Sequence, residues 1–210
     1  MPRSGGSRAL RLAGVSSFRV LDAASPDLLA SEDIELAQKI LREADVDPMD
    51  MERARVLDLI EDHLNIAERT CRPGHLTGSA FVVDPAFGRA LLMFHRKLQM
   101  WLQPGGHADG DMNLAHVALR EATEETGIDG LFVVTPAIDV DIHRVDPPKE
   151  DAHLHLDVRF LVLAPPGAVP KGNHESEALK WVDEKDFDDF AVDDGTKRMA
   201  KAGFALARRL

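Results

Sequence analysis

Residues 101–130 read WLQPGGHADGDMNLAHVALREATEETGIDG, and a helix running from Asn113 to Thr126 and stopping at Gly127 carries Glu121, Glu124 and Glu125 within five positions. Like charges three and four apart on a helix cost roughly 0.2–0.5 kcal/mol per pair. A bound cation is the simplest compensating gain. At about 100° per residue the three carboxylates share one face. Ala115, Ala118, Leu119 and Ala122 form a neighbouring face that fits against a sheet, the small alanines letting the helix sit close. Arg120 precedes Glu124 by four residues, so its fork is expected to hold that carboxylate. Hard cations such as Mg²⁺ take oxygen ligands and often share them with substrate phosphates. The competing reading is a solvated acidic helix face.

Outside this stretch the chain divides by periodicity. Ser31–Glu43 has helical apolar spacing at Ile34, Leu36, Ala37, Ile40 and Leu41. Asp47-Pro48 looks like a cap and first-turn proline, opening a second helix to about Arg69 with Val56, Leu59, Ile60 and Leu64 inward. Beyond Gly74 the runs LTGSAFVVD, RALLMFHR, GLFVVTPAIDVDIHRV, AHLHLDVRFLVLA and ALKWVD read as strands, and a last helix is expected from about Thr196. Residues 1–24, basic and free of acids through position 21, are expected to be disordered, although the composition also resembles a transit peptide.

The 210 residues suffice for one full domain with an extension. A net charge of −11 argues against nucleic acid and anionic membranes as partners, and no apolar run is long enough to cross a bilayer. The single cysteine, Cys71, excludes a disulfide framework and favours a reducing, cytoplasmic setting.

The stretch GGHADGDMNLAHVALREATEETGI resembles the signature of the Nudix hydrolases, matching at Gly106, Arg120, Glu121, Ala122, Glu124, Glu125, Gly127 and Ile128. The flank RALLMFHRKLQMWLQPGG is similar to that family's strand, basic turn and Trp-x-x-Pro-Gly-Gly approach, and the resemblance covers residues 76–190. Its register sets Met112 where the family has its first glutamate, with Asp111 one position earlier, so Met112→Glu is expected to leave turnover intact or raise it. The implied fold is α+β, a Nudix-type α/β/α sandwich with a mixed sheet over residues 74–210, plus a helical extension over 25–73. The implied chemistry is Mg²⁺- or Mn²⁺-dependent hydrolysis of a diphosphate bond in a nucleoside diphosphate linked to another group. Its partner is that small molecule, with a homodimer as a further expectation. Glu121, Glu124 and Glu125 would hold metal, with Arg120 supporting. Gly105 and Gly106 would give the loop a bend. Arg96, Lys97 and His107 are candidates for substrate contact. Metal-saturated glutamates make poor bases, so Glu175, in the flexible loop before the Trp-Val strand, is the candidate base. Two rivals remain: an isoprenyl-diphosphate isomerase on the same fold, which would want a pocket cysteine, and a nucleotide-binding regulator without turnover.

AHLHLDVRF alternates, placing His153, His155 and Asp157 on one strand face, and DVDIH does the same for Asp139, Asp141 and His143. A symmetric hairpin sets His143 opposite His155. This face could bind Zn²⁺ or line a substrate pocket; otherwise it is the wet side of an antiparallel sheet.

Overall fold

The computed structural model describes residues 8–10, 18–147, 151–174 and 176–210. The strands are β1 (Arg8–Leu10), β2 (Phe18–Asp22), β3 (Gly74–Val83), β4 (Arg89–His95), β5 (Met100–Leu102), β6 (Gly105–His107), β7 (Phe132–Val145), β8 (His153–Leu163) and β9 (Ser176–Asp183). The helices are α1 (Ile34–Glu43), α2 (Met51–Asp62), α3 (Leu114–Thr126) and α4 (Asp194–Ala207). Among the described residues the strands form one mixed sheet in the order β1-β2-β7-β8-β3-β4-β5, with β6 on β3 and β9 on β4. β3 and β8 run parallel from Gly74↔Leu154 to Val83↔Leu163; the other pairs are antiparallel.

Each sheet face covers its own core. One packs α1, α2 and α3 through Leu41, Ile60, Leu114, Ala118 and Ala122 against Leu76, Val158 and Phe160. The other packs α4 through Met199 and Phe204 against Phe81, Val134 and Leu161. The architecture is thus helix, sheet, helix. A Cβ at Gly78 of β3 would lie 2.9 Å from the Leu114 carbonyl, so glycine there, facing alanines on α3, lets that helix settle directly on the strand.

Three expectations are corrected. Residues 18–22, read as part of a disordered start, form β2 and pair with β7 (Val20↔Val134) because Phe18 and Leu21 alternate into the two cores. Residues 1–7 and 11–17 lie outside the described ones. The second helix does not open at Asp47: Asp47 and Pro48 make a turn in which Asp47 Oδ1 accepts from Met49 N, and Asp50 caps α2. It also ends at Asp62, so Leu64 falls past the helix and is 86% exposed.

Met112 is buried in the core shared with α1 and α2, and its N–H donates to the Ser31 carbonyl at 2.6 Å. Asp111 accepts from Ser31 N and Asn113 N and contacts His116 Nδ1 at 2.6 Å. Both residues therefore clamp the segment before α1 to the start of α3. Burial adds a stability cost to the turnover expected of Met112→Glu. A carboxylate there would be buried without a partner, and the variant should lose on the order of 2 kcal/mol of stability or more. Chemical denaturation measures this; unchanged stability would show that the loop readily turns the new side chain outward.

Candidate active site

α3 is built by its caps. Asn113 Oδ1 accepts from His116 N at the start, and Gly127, at φ 63°, closes the end with its N–H on the Thr123 carbonyl. The helix thereby presents Glu121 half-buried, Glu124 exposed and Glu125 buried.

β6 runs across the N-terminal half of β3 (Thr77↔His107, Ser79↔Gly105) and brings its glycines against these carboxylates. Gly105 N–H donates to Glu125 Oε2 at 2.9 Å. A Cβ on Gly106 would stand 2.4 Å from the Glu121 carboxyl carbon, and one on Gly105 would stand 2.3 Å from Ser79 Oγ. Neither glycine has a positive φ. Their reason is room for a carboxylate and a neighbouring strand, and not the bend expected from sequence.

Arg120 pairs with Glu121 and not with Glu124 as its spacing suggested. Its Nη1 lies 2.7 Å from Glu121 Oε1, and Nη2 donates to the His107 carbonyl at 3.0 Å. One guanidinium thus ties the helix carboxylate to the end of β6. Burial pushes the Glu121 carboxyl above its ordinary pKa; Arg120 pulls it down, and Glu124 adds like charge. A carboxylate that costs energy to keep charged gains from any cation brought to it.

Gly106→Ala follows directly. The new methyl must displace the Glu121 carboxylate, the mobile end of a side chain, so the fold should survive. If Glu121 is part of the catalytic centre, kcat should fall at least ~10-fold, a fraction of the loss that a 1 Å misplacement can cause. Unchanged kcat with an unchanged melting temperature would remove this contact from the mechanism.

Other expected residues are distributed more widely. Arg96 and Lys97 occupy the exposed turn between β4 and β5, which Gln99 braces to β9 through Glu177. Glu175 lies outside the described residues. The loop just before it is anchored beside the glutamates, since Lys171 N and Gly172 N donate to the Thr126 carbonyl at 2.9 and 3.3 Å.

The alternating polar face of β7 and β8 is not wet. His143 stands opposite His155, and Asp141 opposite Asp157, but Asp139, Asp141, His153 and Asp157 are all buried. Arg159, 2% exposed, gives its Nε to Asp157, Nη1 to Asp139 and Nη2 to Asp141, at 2.7, 2.9 and 2.8 Å. Arg198 of α4 adds bonds to Asp139 and Asp141. Asp157 also accepts from the Thr77 and Ser79 hydroxyls. It is a hub of the buried charge network and not the metal ligand expected from its strand position.

The histidines gather without it. His75, overlooked in the sequence, enters from β3 opposite His155, its ring 4.8 Å from His153, 5.2 Å from His155 and 5.0 Å from His107. His143 lies 5.3 Å from His155 and bonds Asp141 through Nδ1. Burial and neighbouring imidazoles depress the pKa of His75 to about 4 and that of His155 to about 3, so both are neutral at pH 7. The signal for His75 was the parallel β3–β8 register, a long-range pairing that local periodicity does not reveal.

A NUDIX domain profile matches residues 75–203. Among solved structures, a NUDIX-family hydrolase from Clostridium perfringens is similar over 63% of this chain and 97% of its own, with 22% identity and a TM-score of 0.51. The Ap4A hydrolase of C. elegans, in a binary complex, is similar over 64% and 98%, with 16% identity and a TM-score of 0.54. No curated protein matches the chain. No helix among the described residues is long and apolar enough to cross a membrane. With the profile spanning well over half of its length and the glutamate helix seated on a glycine strand within that span, the chain belongs to the Nudix hydrolase family.

Proposed function

We propose that the chain hydrolyses a diphosphate bond in a nucleoside diphosphate linked to another moiety, using Mg²⁺ or Mn²⁺ held by Glu121, Glu124 and Glu125. The observation that carries this reading is the seating of the half-buried Glu121 carboxylate against Gly106 with Arg120 on one oxygen. The donors are carboxylate oxygens, which suit hard cations. The cation supplies neutralisation of the diphosphate charge and a template for in-line displacement.

The chain's own groups do the positioning. Glu125 fixes the β6 loop through Gly105 N–H, and Arg120 orients Glu121 and the His107 backbone together. His107, Arg96 and Lys97 are assigned to substrate contact, the two cations drawing an anionic phosphate to a chain whose net charge is −11. Glu175 is assigned as the base that takes the proton of the attacking water. The docking of Lys171 and Gly172 on the Thr126 carbonyl, one residue beyond Glu125, supports that assignment by anchoring those two residues, which precede Glu175 in the chain, beside the helix glutamates. Glu175→Gln should lower kcat by roughly 10²-fold with Mg²⁺ affinity retained. A drop of less than threefold would move the base elsewhere, with Glu177 next.

The deciding experiment incubates the full chain with nucleotide sugars, dinucleoside polyphosphates, coenzyme A and nucleoside triphosphates in Mg²⁺ or Mn²⁺, and separates products by chromatography. The reading expects one class to yield a nucleoside monophosphate, with no cleavage in a chelator. No hydrolysis of any class with either metal would overturn it and favour a nucleotide-binding regulator.

A further inference from the structure

His75 is fully buried, and neither ring nitrogen has a hydrogen-bond partner among the described residues. A neutral imidazole carries one donor and one acceptor, and leaving such groups buried and unpaired is destabilising. The ring is not isolated. A ligand nitrogen each from His75, His153 and His155 lie within 4.8 Å of one another. Nitrogens about 2.0–2.1 Å from a tetrahedral Zn²⁺ stand roughly 3.3 Å apart, so small side-chain rotations close the set.

His153 is already oriented for such a role. Its Nδ1 lies 2.8 Å from the Asp151 carbonyl, which sets the proton on Nδ1 and leaves the Nε2 lone pair available. Outer hydrogen bonds of this kind fix tautomer and ring direction in histidine metal sites. Strand register supplies the rest: His75 and His155 are direct partners on parallel β3 and β8, and His153 is two residues along the same face of β8. The His107 ring lies 5.0 Å from both His75 and His155, beside the remaining position.

We propose that His75, His153 and His155 form a Zn²⁺ site, separate from the glutamate centre, with its fourth position open to water. Three imidazole nitrogens suit borderline ions such as Zn²⁺ and not Mg²⁺, which takes oxygen. The ion would give one of the two orphaned His75 ring nitrogens a partner and pin β3 to β8. The site would also lie beside β6, because the His107 ring is 5.0 Å from both His75 and His155 and Arg120 holds the His107 carbonyl. The structural role follows from this placement: the ion stiffens the strand on which the Glu121 seat is built.

The test is metal binding, not turnover. The full chain is stripped by dialysis against a chelator and titrated with Zn²⁺ by calorimetry, with bound metal counted by elemental analysis. Visible absorption of the Co²⁺-substituted protein reports the coordination geometry. The proposal expects one tight equivalent, a rise of several degrees in melting temperature, and Co²⁺ bands of a nitrogen-rich four- or five-coordinate site. His155→Ala and His153→Ala should each weaken Zn²⁺ binding at least ~100-fold, while Glu124→Gln leaves it unchanged. His75→Phe should abolish binding if it folds; the more accessible His155 keeps the test decisive if it does not. No stoichiometric binding by the stripped parent, or parental affinity in both β8 variants, would overturn the proposal. Loss only in Glu124→Gln would place the Zn²⁺ at the glutamates and overturn it as well.

Discussion

Glu121→Gln should lower kcat by about 10³-fold or more, near 4 kcal/mol of transition-state stabilisation, while leaving the fold intact. The side chain keeps its length, so the gap at Gly106 remains filled. What changes is charge. Arg120 Nη1 now faces an amide where it had a carboxylate 2.7 Å away, and a cation loses an anionic oxygen ligand. A metal acting on phosphoryl charge supplies several kcal/mol, which sets the scale of the loss. Glu124→Gln should fall comparably if its exposed carboxylate completes the same cation shell. Steady-state kinetics on the substrate found by screening, alongside thermal melts, reads both quantities. A well-folded Glu121→Gln variant with parental kcat would remove this carboxylate from the chemistry.

Arg159→Met is expected to show the largest stability effect, a loss of roughly 3–5 kcal/mol. The guanidinium is 2% exposed and bridges Asp139, Asp141 and Asp157, which come from two adjacent strands. Removing it leaves three carboxylates crowded together, with Arg198, half exposed, joined to only two of them and His143 to Asp141 alone. For a chain of this size the melting temperature should drop by on the order of 10 °C. The pH dependence has a sign. In the parent, hydrogen bonding from His143 and the charges of Arg159 and Arg198 outweigh burial and hold the Asp141 carboxyl well below its usual pKa. Its stabilising contribution is therefore in place above about pH 4, and is lost as pH falls further. In the variant the crowded carboxylates would have folded-state pKa values above the unfolded ones, so its deficit should narrow as pH is lowered toward 4. A deficit independent of pH would assign the loss to packing alone.

The glutamate helix was legible because its information is local. Asn113, Gly127 and the alanine face state where α3 begins, ends and packs, and the Glu-x-x-Glu-Glu spacing needs only the helical repeat. The His143↔His155 register was legible for the same reason, since period-two alternation and a short turn determine it. His75 was not. It faces His155 only because β3 and β8 run parallel, about 80 residues apart in sequence, and nothing near Cys71-Arg-Pro-Gly-His75 announces that pairing. Asp157 was misread because alternation shows which face a side chain takes, but not that Arg159, two residues on and on that same face, bends back to claim it. Leu64 was misplaced by counting helical period beyond a helix that ends at Asp62. Met112 looked like a defect in a metal loop. Its burial against the segment before α1 gives it a packing role that the motif alone does not express.

Glu121 seated on Gly106, Glu125 bonded to Gly105 and the exposed Glu124 are together proposed to form a divalent-cation centre. Binding of Mn²⁺, followed by electron paramagnetic resonance in the full chain, tests it most directly. Saturable Mn²⁺ binding that Mg²⁺ displaces is expected, weakened at least ~10-fold in Glu121→Gln and Glu124→Gln and unaltered in His155→Ala. Equal Mn²⁺ affinity in the parent and both glutamine variants would contradict it.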